Sequence, residues 1–207
     1  MRQKVGIIGG TFNPIHLGHI SLAKTAYEQL SLDKVIFMPS GKSYMKRNLY
    51  VLPGEIRLTL INMSIRDYPY FESSDMEITR NGNTYTYETL ELLKSGEPET
   101  DFYFIMGADC LYTIEKWVYP DRIFQAASIV AAVRDSVAMD DLAKQATYLE
   151  HKFHANITLL KFPPMDISSS MIRERISSQT SIRGLVPAAA EEYILANKLF
   201  LSEGESN

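Results

Sequence analysis

KVGIIGGTFNPIHLGHISLAK, residues 4–24, is the stretch on which the fold turns. Val5–Ile8 is a short apolar run, and Gly9-Gly10 closes it. Paired glycines let the backbone turn sharply or come close to a ligand. Pro14 fixes the loop and restricts the residue before it. Leu17, Ile20, Ala23, Tyr27 and Leu30 then recur at helical spacing, which predicts an amphipathic helix over Leu17–Leu30. The first N–H groups of that helix lack partners and carry the positive end of its dipole, so the turn favours an anion. His16 and His19 share one face at a spacing of three, and Gly18 removes a side chain between them, which leaves room for a bulky group. The two histidines read as zinc ligands, as ordinary helix residues or as phosphate handlers.

The rest of the chain repeats the alternation. Apolar runs at Val35–Met38, Phe102–Met106, Ser128–Val133 and Ile157–Phe162 predict buried strands, and Phe71–Ile78 predicts another, with Glu72 and Asp75 against its pattern. Helices are expected from Pro53, over Tyr87–Leu93 and Asp140–Phe153, and over Ser169–Ile176 and Pro187–Leu195. Strands alternating with helices imply a Rossmann-like, doubly wound, mostly parallel α/β sheet flanked by helices, with a small C-terminal helical segment. One domain over residues 1–207 is the simplest account, with residues 202–207 (SEGESN) as a disordered tail. Such sheets bind ligands beyond the carboxyl ends of their strands. Gly9–His19, Pro39–Arg47 and Gly107–Asp109 each follow a predicted strand and therefore belong on one rim.

Composition narrows the function. The 207 residues carry a net charge of −4, whereas a general nucleic-acid binder is normally basic, so a nucleic-acid partner is not expected. Cys110 is the single cysteine, which forbids an intramolecular disulfide and fits a reducing, cytoplasmic setting. The apolar run near the N-terminus is too short for a secretory leader, and no run approaches the ~18 residues of a membrane span. The sequence does not decide between a monomer and a homodimer.

Zinc would need further ligands, and Cys110, His151 and His154 lie far from the pair in sequence, so no metal site is expected. An isolated pair of histidines would be a bystander. Here it is fused to a strand-to-helix turn, and that favours phosphate.

Gly10-Thr11-Phe12-Asn13-Pro14-Ile15-His16-Leu17-Gly18-His19 resembles the G-x-F-x-P-x-H-x-G-H signature of the nucleotidyltransferase superfamily. Ile167-Ser168-Ser169-Ser170-Met171-Ile172-Arg173 resembles the I-S-S-T-x-I-R element of its adenylyltransferase branch, with Ser170 in place of threonine. Within that branch the chain is most similar to the bacterial nicotinate-mononucleotide adenylyltransferases. Thr84–Leu90, the Gly107-Ala108-Asp109 block followed by Lys116-Trp117, and Leu185–Ile194 resemble further segments of that family. Many members read P-P-H-K after the second strand; here Met45 stands at the histidine position and Lys46 keeps the lysine, with the part of Lys42 left open.

The resemblance implies transfer of the adenylyl group of ATP to nicotinate mononucleotide, giving deamido-NAD and pyrophosphate. The acceptor phosphate attacks in line, with no covalent enzyme intermediate and with Mg²⁺ carried on the triphosphate. It implies catalytic roles for His16, His19 and Arg173. Gly9, Gly10, Thr11, Phe12, Gly18, Gly107, Asp109, Ser169 and Ser170 join them around ATP, with Asp109 on a ribose hydroxyl. Asn13, Ser40, Lys46 and Arg134 fall to the second substrate, Trp117 stacks on its pyridine ring, and main-chain N–H groups near Thr86 and Val118 hold the ring carboxylate. Phosphopantetheine adenylyltransferase is the nearest alternative, although usually shorter. A non-catalytic dinucleotide-binding module is disfavoured because GIIGGTF does not supply G-x-G-x-x-G and no acidic residue ends the second strand. The chain is also small and acidic for an aminoacyl-tRNA synthetase, which carries a related H-x-G-H.

Overall fold

A computed structural model describes residues 2–41, 50–133, 139–163 and 165–201. Among these, six strands form one sheet: β1 (Lys4–Gly10), β2 (Lys34–Pro39), β3 (Phe71–Ser73), β4 (Asp101–Gly107), β5 (Ser128–Val133) and β6 (Ile157–Lys161). Their order is β3-β2-β1-β4-β5-β6, and every neighbouring pair is parallel. Seven helices cover it: α1 (Leu17–Leu30), α2 (Gly54–Ile65), α3 (Thr86–Gly96), α4 (Pro120–Ala126), α5 (Met139–Phe153), α6 (Ser169–Ser177) and α7 (Ala188–Ala196).

The period-2 alternation of the strands sorts their side chains onto two cores. Ile8, Val35, Phe37, Ile105 and Val130 face one side, where Ile20 of α1, Leu60 of α2, Ile172 of α6 and Ile194 of α7 meet them. Val5, Ile7, Phe102, Phe104 and Ile129 face the other, against Leu90 of α3, Ile123 of α4 and Leu149 of α5. The parallel α/β expectation therefore holds.

Two elements differ from expectation. The strand expected over Phe71–Ile78 stops at Ser73. Ser74 still donates its N–H to the Phe37 carbonyl, and the chain then turns, with Thr79 bonding back to the Asp75 carbonyl through both N–H and hydroxyl. Glu72 and Asp75 mark this departure, because β3 is an edge strand and its polar residues face solvent; Glu72 pairs with Lys34 at 2.9 Å. Helix α4 was not expected: it is a single short run whose start is set by Tyr119 in the left-handed region (φ 50°) and Pro120 at its first position.

The order reverses between β1 and β4, which leave the sheet in opposite lateral directions. Gly10 lies beside Pro39 and Ile8 beside Ile105, so the turns after β1, β2 and β4 open onto the same edge. Residues 42–47 of the expected rim and the tail 202–207 lie outside the described residues.

Candidate active site

The turn after β1 is held by its own side chains. Phe12 takes a left-handed conformation (φ 47°) and buries its ring. A Cβ at Gly10 would stand 3.2 Å from that ring, and one at Gly9 would stand 3.3 Å from the ring of Phe104. The room these glycines leave is thus shared with two aromatic rings. Phe12 also meets His19 edge-on at 4.9 Å, forming a wall for the imidazole.

His16 is the N-cap of α1, in extended conformation and 5% exposed. Its ring stacks on that of His19 with centroids 3.7 Å apart. Its main-chain N–H donates to His19 Nδ1 at 3.2 Å. A backbone N–H can only donate, so Nδ1 must be the bare nitrogen and Nε2 carries the proton of the neutral ring. The loop thereby sets His19 up as a hydrogen-bond donor. A Cβ at Gly18 would come within 3.0 Å of His16 Nδ1. The space this glycine leaves borders the His16 ring and permits the histidine stack.

The second motif reaches this loop from the far end of the chain. Ser168 caps α6 by accepting the N–H of Met171 at 3.2 Å. Ser169 Oγ donates to the Pro14 carbonyl at 2.8 Å, so its hydroxyl proton ties the two motifs together. Arg173 Nη1 donates to the Asn13 carbonyl at 2.8 Å, and Nη2 to Ser170 Oγ at 3.3 Å. Ser170 is exposed at the first turn of α6. It and Arg173 line an open cavity of about 620 Å³ together with Tyr50 and Glu174. The N-terminus of α6, two hydroxyls and one guanidinium thus stand beside the N-terminus of α1.

Asn13 is 4% exposed and its side chain faces inward. Nδ2 donates to the Tyr50 carbonyl at 2.9 Å and Oδ1 accepts from Leu52 N–H at 3.0 Å. Both polar atoms of the Asn13 side chain are thus engaged within the protein, and they fasten residues 50–52 to the histidine loop. Ser40 donates its N–H to the Gly10 carbonyl at 2.8 Å.

Of the residues expected around the pyridine ring and ribose, Trp117, Val118, Gly107 and Asp109 lie at or after the end of β4. Trp117 is half-buried and meets Phe104 edge-on at 6.4 Å, next to the ring that Gly9 accommodates. Val118 is half-buried on the same core. Thr86 is the first residue of α3, so its N–H lies among the orphan donors of that helix. Gly107 is exposed, with open space where a Cβ would be, and Asp109 is exposed in the short 3₁₀ turn that follows. Lys42, Met45, Lys46 and Arg134 lie outside the described residues.

Sequence reading missed Arg57. It lies on the inner face of α2 with Leu60, Ile61 and Ser64 and is 4% exposed. Its guanidinium donates to three carbonyls: Leu52 (Nε, 2.9 Å), Thr11 (Nη1, 2.8 Å) and Ser40 (Nη2, 2.8 Å). Burial pushes it below its ordinary pKa, against the raising effect of the Glu55 and Glu77 carboxylates. A charge on an otherwise apolar helical stripe was the available signal.

Chemically, the site offers N–H and O–H donors and a fixed cation, a set suited to phosphate oxygens. Among the described residues no group of three or more His, Cys, Asp or Glu gathers as metal ligands, and no helix is long and apolar enough to cross a membrane.

Comparison with known proteins identifies the family. The model of the cytidylyltransferase-like family matches residues 7–175, which include both motifs. The nicotinate-nucleotide adenylyltransferase of Lachnoclostridium phytofermentans is 44% identical over 96% of this chain and 100% of its own length. That of Clostridium botulinum strain Alaska E43 is 41% identical over 97% of this chain and again 100% of its own. In three dimensions the nicotinic acid mononucleotide adenylyltransferase of Plasmodium falciparum, complexed with NaAD, superposes with a TM-score of 0.77 at 19% identity, covering 96% of this chain and 97% of that one. Matched along nearly its whole length, the chain belongs to the nicotinate-nucleotide adenylyltransferase family.

Proposed function

We propose that this protein transfers the adenylyl group of ATP to nicotinate mononucleotide, giving nicotinate adenine dinucleotide and pyrophosphate in NAD biosynthesis. The observation that carries the reading is the junction of the two motifs: Ser169 on the Pro14 carbonyl and Arg173 on the Asn13 carbonyl, at the point where the strand order reverses. The junction supports a single polyphosphate cradle between two helix N-termini.

The acceptor's 5′-phosphate oxygen attacks the α-phosphorus of ATP as the bond to the pyrophosphate oxygen breaks, and the electron pair leaves with pyrophosphate. A phosphate monoester is already a nucleophile, so the protein's work is positioning and charge stabilisation. His19 Nε2–H donates to the phosphate on which charge grows, with His16 stacked behind it to hold the ring plane. Arg173, the amides at the start of α6 and the Ser170 hydroxyl take the β- and γ-phosphates. Mg²⁺ enters as part of the MgATP substrate and neutralises the leaving group; such an ion keeps mostly phosphate and water ligands. Trp117 stacks on the pyridine ring, the amides near Thr86 and Val118 receive its carboxylate, and Asp109 accepts from a ribose hydroxyl. We assign the reaction to the cytoplasm, where the lone thiol of Cys110 stays reduced.

The test supplies purified protein, ATP and Mg²⁺ with nicotinate mononucleotide, nicotinamide mononucleotide or phosphopantetheine in separate reactions and follows pyrophosphate release. Release with nicotinate mononucleotide above the others is expected. No release with any acceptor overturns the enzyme reading, and preference for phosphopantetheine replaces it with the sister activity.

A further inference from the structure

Arg57 belongs to neither motif, yet it joins three separate segments around the site. Thr11 follows β1, Ser40 follows β2, and Leu52 precedes α2; each gives its carbonyl to one nitrogen of the same guanidinium. Three acceptors in three directions suit the planar, five-donor fork of arginine and cannot all be met by the single nitrogen of lysine. Leu52 is also one of Asn13's two anchor points: Asn13 Oδ1 takes the Leu52 N–H, and Nδ2 donates to the Tyr50 carbonyl. The network continues through Glu77. Its Oε2 accepts from Gly41 N–H at 3.4 Å and its Oε1 from Thr89 Oγ at 2.8 Å, and Thr89 lies one turn into α3, whose first residue is Thr86. The fit at Gly41 is tight, for a Cβ there would fall 2.1 Å from the Glu77 carbonyl.

We propose that Arg57 is a positioning residue for adenylyl transfer. It holds the histidine loop at the height at which the Asn13 carbonyl receives Arg173, and it fixes the exit of β2 against that loop. It touches no substrate; it acts through Thr11, Asn13 and Arg173. The proposal rests on the adenylyl-transfer reading above.

The experiment is a double-mutant cycle on the full chain, R57K and R173K alone and together, measuring kcat and KM for ATP and nicotinate mononucleotide at saturating Mg²⁺. L149A serves as the stability control: Leu149 is fully buried on α5, in the core on the opposite face of the sheet. R57K is expected to lower kcat roughly 10–100-fold, the scale of an ångström-level misplacement, while L149A, at an equal or larger loss of Tm, keeps kcat within about twofold, the spread expected of a site far from the chemistry. In the R173K background R57K should cost less than about threefold more, because its effect runs through the missing guanidinium. An R57K enzyme with unchanged kcat, equal losses in R57K and L149A, or full multiplication of the two single effects would each overturn the role. If R57K does not fold, R57Q enters the same cycle, and failure of both to fold assigns Arg57 to structure alone. Absence of activity in the unsubstituted protein would instead strike the functional reading and take this role with it, so the two failures are distinct.

Discussion

Arg173 Nη1 donates to the main-chain carbonyl of Asn13 at 2.8 Å, although 160 residues separate them in the chain. The two motifs are therefore joined across the sheet's switch point by contacts to main-chain carbonyls, which every residue type carries. The junction's rigidity comes from the loop beneath, where Asn13, Arg57 and Phe12 are each buried. Five substitutions probe separate parts of this arrangement.

His19→Ala removes the donor that the loop orients. Turnover should fall about 10²–10³-fold, the scale for losing one transition-state donor, with an unchanged circular dichroism spectrum. His16→Ala should show the opposite balance, a smaller loss of kcat and a larger loss of Tm, because its ring is buried under the stack. A loss of only a few-fold in His19→Ala would remove that residue from the centre of the mechanism.

Asn13→Ala leaves the Tyr50 carbonyl and the Leu52 N–H without their buried partner. Each abandoned group costs roughly 1–3 kcal/mol, and in a chain of this size each kcal/mol lowers Tm by about 2–4 °C. Thermal unfolding should therefore show a clear drop. An unaltered Tm would mean that the side chain is a ligand contact, not an anchor.

Gly18→Ala pits local propensity against the site. Alanine in a helix is favoured over glycine by about 1 kcal/mol, but its Cβ would press on His16 Nδ1. The expected result is a Tm near that of the parent with kcat lowered roughly tenfold or more as the stacked rings shift. Steady-state kinetics beside calorimetry separates the two effects, and full activity would show that His16 yields without disturbing His19.

Trp117→Ala should raise KM for nicotinate mononucleotide about tenfold, the worth of one aromatic stacking contact, while KM for ATP stays within about twofold, as for a contact the nucleotide does not share. Equal changes in both would place the indole in the core alone, against Phe104.

The parallel sheet was legible because its strands are continuous apolar runs between glycines and prolines, and Ser128–Val133 (SIVAAV) begins and ends where β5 does. The two phosphate motifs were legible as spelling. What joins them was not: Ser169 and Arg173 bond to carbonyls of Pro14 and Asn13, and every residue carries such a carbonyl. The inward anchors of Asn13 were hidden because a polar side chain in a turn gives no hint of facing inward. Arg57 was hidden within the helix expected from Pro53, because a charged residue there reads as solvent-facing although it shares the buried face with Leu60 and Ile61. Strand β3 ran past its true end because a short edge strand has too few residues to display its period.

The central strand and the cradle both wait for distant partners. β1 pairs with β4, which begins about a hundred residues later, and the loop beyond it accepts Ser169 from 155 residues away. A chain emerging from the ribosome can close the β1–β2 half of the sheet early, since α1, β2 and α2 lie close by in sequence. It has no complete phosphate cradle until α6 has been synthesised and docked. Activity thus reports on the finished molecule: a polypeptide truncated before Ser169 could retain most of the sheet and still be silent, so a partial product would not consume ATP.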